Sequence, residues 1–243
     1  MDYWYYSTIK ITMNGIWILL LLILAAALPV IVVFFWFRFR KSPVTLSWFL
    51  LSLAAGIVSL VVVALVQKLF FPSEANGKEG MDGLGSIIFS IFVRIALVEE
   101  ASRLITLIPL VKAGSRYFKA GRTFSAALGL VAGLGFAMLE NASYGTADVY
   151  ITLLRAFTAA PIHCACGIRA GTAVFEFKQS PVKALFLFIS AVLIHGAYNL
   201  IIVSPAFPSA LAILIALSAL FSSMPYTKDA VSEEPVNPET PKT

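Results

Sequence analysis

Seven stretches of membrane-spanning length follow one another through this chain and leave little outside them to fold. A hydrocarbon core about 30 Å thick is crossed by about 20 helical residues at about 1.5 Å of rise each. Apolar runs of that order cover residues 14–37, 44–71, 85–111, 123–146, 148–175, 182–203 and 206–224. The pattern predicts an all-α polytopic membrane bundle of about seven transmembrane helices. Composition agrees: 59% of the 243 residues are hydrophobic and 13% are charged, too apolar a balance for a soluble domain. The first run exceeds the roughly 7–15 residues of a signal-peptide core and lacks a small-residue cleavage site, so it reads as a retained span.

An N-terminal segment over 1–13 therefore precedes a single bundle over 14–224, and residues 225–243 follow it. That last stretch is rich in proline, acid and threonine, has little to bury, and is expected to be a disordered cytoplasmic tail. Basic residues gather in alternate connections: Arg38, Arg40 and Lys41; then Lys112, Arg116, Lys119 and Arg122; then Arg169, Lys178 and Lys183. The intervening side carries Glu74, Lys78, Glu79 and Asp82 in one loop and Asp148 in another. By the positive-inside rule the N-terminus lies outside and the C-terminus is cytoplasmic. The net charge of +5 comes from these connections, so it orients helices and does not indicate nucleic acid. Cys164 and Cys166, two apart on one apolar helix, diverge too far to bridge, and no disulfide framework is implied.

Six ionisable side chains and both histidines of the chain nevertheless fall inside the apolar runs. They are Arg94, Glu99, Glu100, Arg103, Glu140, Arg155, His163 and His195. A charge at the bilayer centre costs about 2.5–3.5 kcal/mol even on the mildest insertion scale, so such residues persist when they pair, line a wet cavity, or work. In the third span Glu99 and Arg103 stack on one helical face, and Glu100 stands three residues before the same arginine. One guanidinium can serve either acid. Two adjacent acids and one cation in low dielectric titrate as a coupled set, which is a setting for a proton acceptor. The alternative is a buried pair that only holds helices together, and that does not explain the second acid.

In the fourth span Gly129 and Gly133 form a small-residue face that leads along the helix to Phe136, Ala137, Glu140 and Tyr144, aiming Glu140 at a neighbouring helix. Asn141-Ala-Ser143 matches a glycosylation sequon but sits within a span. In the fifth, Pro161 frees backbone carbonyls, and Ala159, His163, Gly167 and Gly171 share a face. Arg155 lies two turns earlier on nearly the same side, as a counter-ion for Glu140 or as a catalytic group. In the sixth, His195 and Asn199 stack four apart, an imidazole that can carry a proton beside an amide that can donate to an oxyanion. Base, proton carrier and charge stabiliser are the parts of a water-activating hydrolase.

The blocks Glu99-Glu100-x-x-Arg103, Phe136-x-x-x-Glu140-Asn141, Arg155 to His163-x-x-x-Gly167 and His195-x-x-x-Asn199 come in this order on successive helices. Over about residues 90–203 this order resembles the PrsW family of intramembrane proteases, distantly similar to the CAAX-prenyl and abortive-infection proteases. The resemblance implies a glutamate-dependent endopeptidase in a bacterial or archaeal plasma membrane. Its substrates would be membrane-anchored proteins of the anti-sigma-factor kind, met within the lipid bilayer. Two departures stand out: the family usually has lysine at the place of Arg103, and the CAAX-type relatives usually have histidine at the place of Glu140.

The expected site is a cavity bounded by the third to sixth spans, with its catalytic core over about 85–203. Glu99 acts as general base, Glu100 and Arg103 orient it, and Glu140 with His195 positions the water. Asn199 donates to the oxyanion, and His163 stabilises charge or returns a proton to the leaving amine. Asn141 and Arg155 support them. No cofactor is needed on this reading. A second reading adds zinc held by Glu140, His163 and His195, with Glu99 or Glu100 as a further carboxylate. A proton-coupled transporter and a non-catalytic membrane scaffold are the alternatives from other classes.

Overall fold

The computed structural model describes residues 13–40, 42, 44–71, 83–117, 121–145, 149–204 and 206–231, and among them the regular elements are all helical. α1 runs Met13–Phe39 and α2 runs Leu46–Phe70, the latter started by Thr45, whose hydroxyl accepts the Trp48 N–H at 3.5 Å. A continuous helical run follows. It opens as α3 (Leu84–Phe89), passes through a π-helical segment (Ser90–Leu97) and continues as α4 (Val98–Tyr117). Then come α5 (Gly121–Gly145), α6 (Val149–Glu176), α7 (Pro181–Val203) and α8 (Ser209–Ser223), with a short 3-10 helix, Met224–Val231, packed after them. With the α3 to α4 run taken as one, the long helices fall on the seven expected stretches, their ends shifted by a few residues.

Leu46–Phe70, Gly121–Ser143, Pro181–Val203 and Ala210–Thr227 are long and apolar enough to cross a membrane by length and composition. Large apolar side chains such as Leu51, Leu65, Phe186 and Phe221 are more than half exposed around the bundle, as lipid-facing residues are. α5 is the axis: 83% of its apolar window is buried, against 28% for α2 and 39% for α7. Two opposite faces of α5 make this possible. A methyl group added at Gly129 would strike the Gly167 carbonyl, and one at Gly133 would strike the carbonyl of His163, so α6 lies directly against the α5 backbone. On the far side Gly135 meets the Leu53 carbonyl and Gly56 meets that of Ala132, which seats α2 equally close.

Two sequence expectations change here. Arg169, counted among the loop charges, is buried inside α6, 8% exposed. Its guanidinium donates to Ser222 Oγ at 2.9 Å, to the Ala219 carbonyl at 3.4 Å and to Ser223 Oγ. It therefore closes the C-terminal end of α8, where free carbonyls and the helix dipole favour a cation. The stretch expected as tail also begins in the 3-10 helix, whose Thr227 is buried. Residues 1–12, the loop from Pro72 to Asp82, Lys41, Lys119, Asp148 and residues 232–243 lie outside the described residues.

Candidate active site

The polar residues of four helices meet in one unbroken series of contacts. α4 brings Glu99, Glu100 and Arg103 in its first turns, directly after the π-helical segment. α5 brings Phe136, Glu140 and Asn141, α6 brings Arg155 and His163, and α7 brings His195. π-Helical turns commonly mark functional positions, because they alter the phase of the side chains that follow. Here the segment is braced from α2, where the Gln67 amide donates to the Arg94 carbonyl.

Arg103, fully buried, pairs with Glu100, also fully buried, through both carboxylate oxygens. Spacing alone left Arg103 a choice between two acids, and the fold gives it to Glu100. The other oxygen contacts run outward from this pair. His195 Nδ1–H donates to Glu100 Oε1 at 2.8 Å, and Arg103 Nη2 donates to His163 Nδ1 at 3.1 Å. Since an arginine only donates, His163 Nδ1 must accept, and its ring proton sits on Nε2. That Nε2–H donates to Glu140 Oε2 at 2.8 Å. Glu140 Oε2 also takes Arg155 Nη2 at 2.8 Å, and Arg155 Nε donates to Asn141 Oδ1 at 3.0 Å.

Each imidazole therefore has a carboxylate behind it, Glu100 for His195 and Glu140 for His163. Glu99 stands apart from this series. Its Oε2 lies 3.6 Å from His195 Nε2, too long for a hydrogen bond, and is buried with no hydrogen-bond partner. One donor atom each from Glu99, His163 and His195 lie within 4.8 Å of one another. Two imidazoles and a carboxylate are a donor set that suits zinc, and Glu100 and Glu140 supply the outer hydrogen bonds such ligands need; His163 would then coordinate through Nδ1, the nitrogen that takes Arg103 Nη2 in this structure. The unpartnered Glu99 oxygen is what a site built for a further group would leave over. This changes the expected ligand set. The three converging donors are Glu99, His163 and His195, whereas Glu140, expected among them, is hydrogen-bonded to His163.

Phe136 was part of the sequence pattern without a role, and the fold gives it two contacts. Its buried ring lies 4.6 Å from the Arg103 guanidinium and 4.9 Å from the His163 ring, so one side chain backs both groups. His163 and His195 meet edge to face with ring centres 5.0 Å apart. Asn199, one turn beyond His195, is half-buried and has no hydrogen bond or ion pair among the described residues. Asn141 is fully buried, as befits a position the sequon could not use. Cys164 and Cys166 are buried free thiols on α6.

A family model described as PrsW family intramembrane metalloprotease matches residues 44–224, which takes in the four site helices and both helices that flank them. Neither the curated proteins nor the solved structures contain a match to this chain.

Proposed function

The chain belongs to the PrsW family of intramembrane metalloproteases, and from that premise we propose that Glu99, His163 and His195 form its metal-dependent peptidase centre. The protein is an integral membrane peptidase acting on membrane-protein substrates in a lipid environment. The observation that carries the assignment of residues is the convergence of three donors within 4.8 Å, each histidine backed by its own carboxylate. The sequence alone favoured a metal-free site; the family and the donor set support the reverse order, with zinc the fitting ion. A zinc ion held there supplies Lewis-acid polarisation of the scissile carbonyl and makes water more acidic.

The chain's own residues do the rest. Glu100 holds His195 by Nδ1–H, which turns Nε2 toward Glu99, and Glu140 holds His163. Arg103 neutralises Glu100 and fixes both rings in relation to each other. With one carboxylate oxygen of Glu99 offered to the metal, its other oxygen is the acceptor for the proton that water gives up. Asn199, one turn beyond His195 on α7 and without a hydrogen bond of its own among the described residues, is the donor to the oxyanion on this reading. Arg155, itself held by Asn141, pairs with Glu140 and orients it. Substrates are membrane-anchored regulators of the anti-sigma-factor kind, in a bacterial or archaeal plasma membrane. The bundle crosses that membrane seven times, with its N-terminus outside and its C-terminus in the cytoplasm.

The assignment is tested in proteoliposomes carrying a single-span substrate. A membrane-permeant chelator is expected to stop cleavage and added zinc to restore it, with about one zinc per chain by elemental analysis. Glu99→Gln, correctly inserted, is expected to lose roughly 10²–10⁴-fold in rate. A parent rate in that variant would end the assignment. A metal-free site using the same residues is favoured by one observation, that both ring nitrogens of His163 are already engaged by Arg103 and Glu140. Chelator-resistant cleavage that still requires Glu99 would establish that second reading.

A further inference from the structure

A groove of about 530 Å³ opens on the side of the bundle between α4, α6 and α7, apart from the metal centre. Its walls are apolar. Leu104, Ile108 and Val111 come from α4, Ala173 from α6, and Ala184 and Phe188 from α7. At one end the lining changes character. Lys112 from the last turns of α4 and Lys178 from the turn after α6 stand at the mouth, both exposed, with Gln179 beside them. No acid lines the groove among the described residues. Glu176, the acid nearest in sequence, is taken up by Lys183 at 2.7 Å and Arg122 at 3.1 Å.

From this shape and charge we infer that the groove is a binding site for one anionic phospholipid. The acyl chain lies along the apolar floor and the phosphate sits between Lys112 and Lys178. Volume separates this occupant from a substrate helix. A helix about 10 Å across fills roughly 120 Å³ per residue at about 1.5 Å of rise, so the groove holds little more than one turn of it. A hydrocarbon tail is far thinner and can run its length. On the orientation proposed above, which puts Lys112 and Lys178 on the cytoplasmic side, charge separates them too: a spanning segment ends there in lysine and arginine, which these two lysines repel, whereas anionic lipid is concentrated in that leaflet. The inner end of the groove reaches Leu104, next in sequence to Arg103, so a bound chain braces the first turns of α4 on which the site is built.

The test reads lipid retention, with no substrate present. The full chain is placed in nanodiscs of equal parts phosphatidylglycerol and phosphatidylcholine with identical tails, released, and weighed by native mass spectrometry. One retained phosphatidylglycerol per chain is expected, preferred roughly tenfold over phosphatidylcholine. Lys112→Gln with Lys178→Gln, two exposed positions, is expected to erase the preference. Ala184→Phe, which fills the floor, is expected to lower retention of both lipids. Equal retention of the two lipids by the parent chain would overturn the inference, as would a preference that survives the double lysine variant. So would a photo-crosslinker at Ile108 that captures a spanning substrate segment in place of lipid. Glu99→Gln is expected to hold lipid as the parent does, so failure of the peptidase assignment and failure of the lipid site give different results.

Discussion

At the residue scale the site is a set of histidines each fixed by an acid, and this predicts a graded response to substitution. Glu100→Gln keeps the shape of the side chain but weakens its hold on His195 Nδ1–H, and outer partners of this kind are worth about 10–100-fold. The expected outcome is that loss in zinc affinity and in cleavage rate, measured together, with Glu99→Gln more severe in rate. Arg155 and Glu140 form a nearly buried pair at 2.8 Å, their side chains 14% and 16% exposed. Arg155→Met removes the charged partner of Glu140 and leaves it, among the described residues, the His163 Nε2–H alone, and is expected to destabilise by about 2 kcal/mol in a thermal or denaturant series, somewhat below the cost of breaking a fully buried pair. Adding Glu140→Gln is expected to return part of that loss, and the double-mutant cycle measures how much. The roles of Glu99, Glu140, His163 and His195 as polar intramembrane residues were legible from their types and positions. Which acid serves which base was not, because a helix pattern reveals neighbours three and four apart but not partners on other helices.

Elements bring those residues together through close backbone approach. At Gly133 an added Cβ would run into main-chain atoms of His163 and Cys164, and backbone cannot yield as a flexible side chain does. Gly133→Ala is therefore expected to cost about 1–3 kcal/mol and to lower activity with stability, since it pushes α6 and its histidine away. Gly85→Ala is the control. Nothing lies within 4 Å of its Cβ position, so stability is expected to stay level or rise by about 0.5 kcal/mol. The α5 and α6 small-residue faces were readable from spacing. The matching approach of Gly56 to Ala132 and of Gly135 to Leu53 was missed, although Ser52, Gly56 and Ser59 stand on one face of α2 and are all buried, a small-residue stripe that the spacing offered. The π-helical segment also left no trace in the apolar run that contains it. Within it the Arg94 carbonyl takes the Gln67 amide of α2, a contact between helices that no single run can show.

For the whole molecule, the orientation proposed from loop charge predicts which ends meet which solution. Ser42→Cys is expected to label only after the membrane is permeabilised from the cytoplasmic side, and Lys78→Cys is expected to label from outside. Cys164, 6% exposed, and Cys166, fully buried, are expected to stay silent. Reversed labelling would invert the bundle without touching the site assignment. Arg169 shows the limit of charge counting on this scale. It was counted with the basic connections although position 169 falls near the end of the fifth apolar run, and it is inside the bundle holding the end of α8. What sequence by itself determined is the number and extent of the long helices and the placement of polar residues along them, since apolar length and residue type are local properties. Only the tertiary structure decided that Glu100 and His195, 95 positions apart, share a hydrogen bond and that Glu99 keeps an oxygen free. Such pairings depend on how far each helix is rotated and how closely its neighbours approach, quantities set by packing across the whole bundle.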